Sequence, residues 1–139
     1  MRARFGWAAT AGLLLAGCGG NGIDRHVEPL VTIDQGIYGQ ATSVNDVGDP
    51  DVQVLWGFEV DAFAVPSSGT ELAATEGSAT TASMGFYEIA LPAGEHVVCT
   101  ASRRCVTATV PQGGLVRLDC ELSVGPGWQG GTPWPPGNP

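Results

Sequence analysis

The chain has 139 residues, enough for one modest domain, and carries 14 acidic residues against six arginines and no lysine, a formal net charge of −8. So acidic a surface is repelled by phosphate backbones, which excludes nucleic-acid binding as a function class. The 21 glycines and 10 prolines, many of them set between short apolar runs, favour short strands and turns over long helices.

The chain opens with Arg2 and Arg4, a short positive leader, followed by Trp7 to Leu15, apolar or small almost throughout. This is the pattern of a secretory signal peptide over residues 1–17, too short for a stable membrane-spanning helix. Leu15-Ala16-Gly17-Cys18 then resembles the lipobox of bacterial lipoproteins. The resemblance implies cleavage before Cys18 and acylation of that cysteine, hence a lipid-anchored protein of the cell envelope. Gly19 stands where an aspartate would favour retention in the inner membrane, so the resemblance implies the outer membrane. Each acyl chain contributes about 0.8 kcal/mol per buried methylene, and two or three chains together make attachment effectively permanent. Removal of residues 1–17 takes away two arginines and moves the formal charge from −8 to −10.

Residues 18–35 read as a tether, glycine-rich at Gly19-Gly20-Asn21-Gly22 and without periodicity thereafter. Short strands follow. Gly36 to Ala41 is predicted as the first, and Ser43 to Pro50 as an acidic loop. Val52 to Leu55 is a short extension, and in Phe58 to Ala64 the set Phe58, Val60, Ala62 and Ala64 alternates with Glu59, Asp61 and Phe63. Pro66 to Gly69 is a turn, and Thr70 to Ala82 a weak edge strand plus loop.

The last third has the clearest pattern. Strands are predicted over Phe86–Leu91, Glu95–Ala101, Cys105–Val110 and Leu115–Leu122, separated by Pro92-Ala93-Gly94 and by Pro111-Gln112-Gly113-Gly114. Pairing Val110 with Val116 in a final hairpin sets both apolar series on one side. From residue 124 the chain becomes Gly- and Pro-rich around Trp128 and Trp134. Residues 124–139 are therefore expected to be a disordered tail, with Trp128 packing back on the domain and Trp134 solvated.

The run Thr81-Ala82-Ser83-Met84-Gly85-Phe86-Tyr87-Glu88-Ile89-Ala90-Leu91-Pro92-Ala93-Gly94-Glu95-His96-Val97-Val98 resembles the signature of carboxypeptidase regulatory-like domains. It departs from it at Ala82, where aspartate is usual, and at His96, where tyrosine is usual. The resemblance implies an all-β domain over residues 36–123, a small seven-stranded Greek-key (prealbumin-like, that is transthyretin-like) sandwich. With Cys18 acylated, Cys99, Cys105 and Cys120 remain, so one disulfide and one thiol are expected. A short hairpin across Ser102-Arg103-Arg104 could join Cys99 to Cys105, and Cys99 to Cys120 is the alternative. In the family pattern His96, Val98 and Thr100 point inward and Cys99 outward with Cys105, which favours Cys99–Cys105.

Candidate sites are few. Asp46, Asp49 and Asp51 bunch in one loop and offer carboxylates to calcium, but without the spacing of a known calcium loop. They are weak candidates, and no metal or other cofactor is expected. His96 and Cys99 would lie on opposite faces of one strand, unsuited to a shared metal. Tyr38, Trp56, Trp128 and Trp134 are the aromatic side chains available for stacking on a ligand. No Gly-x-Ser-x-Gly, Ser-x-x-Lys or His-Glu-x-x-His motif occurs. The transthyretin-like fold includes hydrolases of purine catabolism, but their Tyr-Arg-Gly-Ser motif is also lacking. The sequence therefore predicts no catalytic residues. It predicts a non-enzymatic structural or protein-binding module anchored to the membrane, with an envelope protein as partner. The alternative is a module that binds a cell-wall glycan, peptidoglycan or exopolysaccharide.

Overall fold

A computed structural model describes residues 29–44, 52–121 and 127–136. Among these the chain is all-β, with two sheets, one short 3-10 turn at Ser83–Gly85 and no α-helix. The strands are β1 (Gly36–Val44), β2 (Val52–Val54), β3 (Glu59–Ala64), β4 (Thr75–Thr80), β5 (Phe86–Ala90), β6 (Gly94–Thr100), β7 (Cys105–Val110), β8 (Leu115–Arg117), β9 (Asp119–Glu121), β10 (Trp128–Gln129) and β11 (Thr132–Trp134). Among the described residues, eleven short strands thus stand where seven were expected.

The first sheet is built on β1. One edge of β1 pairs antiparallel with β5 and then β2, and the other pairs in parallel with β8 and then β9. The second sheet has the order β11-β7-β6-β3-β4, antiparallel throughout. Between them lies the core: Ile37 and Leu118 from the first sheet meet Val60, Val98 and Val106 from the second. Each such side chain contributes about 1.5–3 kcal/mol on burial. The alternation in β3 and β5 places Val60, Ala62, Tyr87 and Ile89 inward, as a strand period of two requires.

The predicted β7–β8 hairpin does not form. After Val110 the chain turns at Pro111 and crosses to the opposite sheet, where Val116 pairs with Ile37 and not with Val110. Side-chain parity nevertheless holds, because the two apolar series point into the core from opposing sheets instead of lying side by side.

The predicted last strand is broken at Leu118. Gly39 permits the local geometry: a β-carbon there would meet the Leu118 carbonyl oxygen at 2.1 Å, so only glycine lets the two backbones approach so closely. The Leu118 amide donates to the Tyr38 carbonyl at 2.8 Å. The Gln40 amide donates to Asp119 Oδ1 at 2.8 Å, and the Tyr87 hydroxyl donates to the Leu118 carbonyl.

Both expected ends of the domain also shift. Residues 29–35 belong to the fold, whereas a tether was expected up to residue 35. The Leu91 amide donates to the Gln35 carbonyl, and the Thr32 amide and hydroxyl both donate to the Glu88 carboxylate. At the other end, β10 and β11 extend the two sheets by pairing with β9 and β7. The tail contains too few core residues to fold alone, but edge strands with unpaired backbone groups receive it.

Candidate functional site

Cross-strand register sets one row of side chains across the outward face of the second sheet. Ser78 on β4 pairs with Asp61 on β3, Asp61 with Cys99 on β6, Cys99 with Cys105 on β7, and Cys105 with Trp134 on β11. Cys99 and Cys105 form the disulfide, which clamps the centre of the row. The Ser78 hydroxyl donates to Asp61. Two positions back along β6 from Cys99, Val97 is completely buried although it lies on this same outer face.

Above the row is a groove of about 790 Å³, walled by Glu59, Asp61 and Phe63 of β3, the segment 70–73, the disulfide, Arg103 and Trp134. Phe63 and Trp134 are half-buried and present aromatic surface. Glu59, Asp61 and Glu71 bring carboxylates and Arg103 a guanidinium. Such a mixture of aromatic surface and converging polar groups in a concavity is what a binding site needs.

The four aromatic side chains singled out from the sequence are dispersed. Trp134 reaches the groove and is half-buried, where solvation was expected. Trp128 is buried in the core, and its Nε1 donates to the Arg104 carbonyl at 2.9 Å, so it is structural as expected. Tyr38 lies on the first sheet with the Arg117 guanidinium 6.0 Å from its ring centroid. Arg117 Nε in turn donates to Asp119 at 3.1 and 3.2 Å. Trp56 sits in the turn between β2 and β3 and is exposed. No common ligand contact is formed by these four.

Cys99 and Cys105 pair as the family resemblance implied. Cys120 is free and buried in the opposite sheet, which rules out its pairing with Cys99 in this fold. Burial is the main reason its thiol is pushed up to about 12, with Asp119 and Glu121 adding to the effect and Arg104 opposing it. It is therefore no nucleophile at neutral pH. His96 is buried, with Nδ1 2.6 Å from Glu76 Oε2 and Nε2 2.7 Å from the Pro92 carbonyl. Both ring nitrogens are thus engaged, and no group of three or more potential metal ligands occurs among the described residues. Cys18 and the weak calcium candidates Asp46, Asp49 and Asp51 lie outside the described residues.

Sequence reasoning did not single out the groove's Glu59, Asp61, Phe63, Glu71 or Arg103. One signal was present: Phe63 stands on the polar side of the β3 alternation, a large apolar residue facing away from the core. No protein-family model, curated protein or solved structure matches the chain.

Proposed function

We propose that the protein is a lipid-anchored envelope lipoprotein, held in the outer membrane through Cys18, whose sandwich is a non-catalytic binding module for an envelope protein. Leu15-Ala16-Gly17-Cys18 behind an apolar segment supports the anchor. The observation that carries the binding reading is the groove at Trp134, wide, outward-facing and braced by a disulfide across its floor. Anchoring confines the module to the membrane surface and so raises its local concentration near partners there.

The carboxypeptidase regulatory-like reading of the domain belongs to the same proposal. Counting β8 and β9 as one interrupted strand, and β2, β10 and β11 as additions, leaves seven strands. Two of their connections, β3–β4 and β6–β7, are hairpins within the second sheet, and the others cross between the sheets, a mixture that Greek-key topologies contain. That count supports the prealbumin-like form, as does the inward placement of His96, Val98 and Thr100.

A second reading has its own support. Trp134 and Phe63 beside Glu59, Asp61 and Glu71 suit a sugar ring, which stacks on an aromatic face while its hydroxyls donate to carboxylates. Retention on isolated cell wall or on a glycan array, lost in Trp134→Ala and Asp61→Asn, favours the glycan. Stoichiometric co-purification with an envelope protein, lost in the same variants, favours the protein partner. Retention of either ligand by both variants would refute the groove as the site.

A further inference from the structure

Among the described residues, the three most exposed large apolar side chains are Leu30, Trp56 and Met84, at 91%, 79% and 45%. All three are placed around one short segment, Thr81 to Phe86. Leu30 shares a shallow recess with Ala82 and Phe86. Trp56 sits in a turn fastened to this segment: the Gly57 amide donates to the Thr81 carbonyl at 2.9 Å, and the Phe58 amide to Thr81 Oγ1 at 2.9 Å. Met84 lies within the segment, in the left-handed region at φ 65°, where a side chain is strained and glycine is the usual residue. Its carbonyl is held there by buried Gln40, whose Nε2 donates to it at 2.8 Å.

This is the end of the sandwich at which β1, β4 and β6 finish and β2, β3, β5 and β7 begin, and it also carries the β6–β7 turn with Arg103 and Arg104. The opposite end carries the turns at Pro92–Gly94 and Pro111–Gly114. Its largest exposed apolar side chains are Val65 and Leu115, at only 38% and 37%. The two ends are therefore unlike.

We infer that the Leu30–Trp56–Met84 end of the sandwich seats on the surface of the bilayer that holds the anchor. The inference rests on the lipoprotein reading, because the position of the anchor identifies the occupant. Cys18 precedes Pro29 by eleven residues, a span of at most about 40 Å when fully extended. The described chain begins beside Leu30, at this same end. The chain that leads from the anchor therefore enters the domain beside Ala82 and Phe86, at the end that carries these three side chains. Tryptophan is suited to the headgroup level, where an amphipathic ring meets both apolar chains and water.

The test uses the full chain, processed in a bacterial membrane and reconstituted into phosphatidylcholine vesicles whose acyl chains carry bromine. Vesicle flotation and the mass of the N-terminal peptide report the anchor, and tryptophan quenching reports the seat. The expected result is flotation with quenching, the quenching being mostly lost in Trp56→Phe and in Leu30→Ser/Met84→Ser while both variants still float. Flotation with no quenching, or quenching that survives these substitutions, overturns the seat and leaves the anchor standing. Failure to float, with an unmodified Cys18, overturns the anchor and the seat together.

Discussion

Cys105 faces Trp134 directly across the β7–β11 ladder, so the disulfide and the tryptophan of the groove belong to one row. The Cys99–Cys105 bond closes a loop of six residues' separation, for which chain entropy gives about 2 kcal/mol of stabilisation. Cys99→Ala/Cys105→Ala is expected to lower Tm by on the order of 10 °C. Because Trp134 is next in the row, the same variant should shift its fluorescence in the folded state. Calorimetry and emission spectra check both effects; a lower Tm with unchanged emission would separate the clamp from the groove.

Tyr87 is buried, and its hydroxyl satisfies the Leu118 carbonyl where β8 breaks from β9. Tyr87→Phe keeps the ring and removes the donor, leaving a buried acceptor without that bond. The expected loss is about 1–2 kcal/mol, seen in urea unfolding as a lower midpoint with an unchanged slope.

These residues also show what could be read from sequence and what could not. The β7 strand coincides with the predicted Cys105–Val110, because the alternation of Val106, Ala108 and Val110 is a local signal. The partner of Leu115–Arg117 was misassigned, because the parity of Val110 and Val116 is the same whether two strands lie side by side or face each other across a core. The break at Leu118 depends on the absence of a side chain at Gly39, almost 80 positions away. The groove draws on β3, the segment 70–73, the β6–β7 turn and β11, so no single stretch announces it. The edge strands β10 and β11, two and three residues long, are too short for any periodicity.

Cys120 should be inert in the folded protein. In a form whose Cys18 is acylated or replaced by serine, iodoacetamide at pH 8 is expected to leave Cys120 unmodified until denaturant is added. Mass spectrometry of the labelled protein decides this. The same burial has an alkaline consequence. The Cys120 thiol is raised from 9.0 to about 12, and burial, chiefly, lifts the Tyr87 phenol well above 10.0. The unfolded chain therefore loses these protons first. Stability should be full below pH 9 and fall as pH rises towards 12.

Glu88 gives the opposite dependence. Hydrogen bonds from the Thr32 hydroxyl and amide hold its carboxyl below the usual 4.5. Its contribution is present above that value and lost as pH falls through the folded-state pKa. The Thr32 amide should be protected from hydrogen exchange at pH 6, and less protected in Glu88→Gln. Equal protection in the variant would show that residues 29–35 are held by other contacts.

The central claim is the anchor, and mass spectrometry of the N-terminal peptide of the protein isolated from bacterial membranes tests it most directly. The account predicts a chain that begins at Cys18 and bears two or three acyl chains. A chain that retains residues 1–17, or one cleaved elsewhere with an unmodified Cys18, would contradict it.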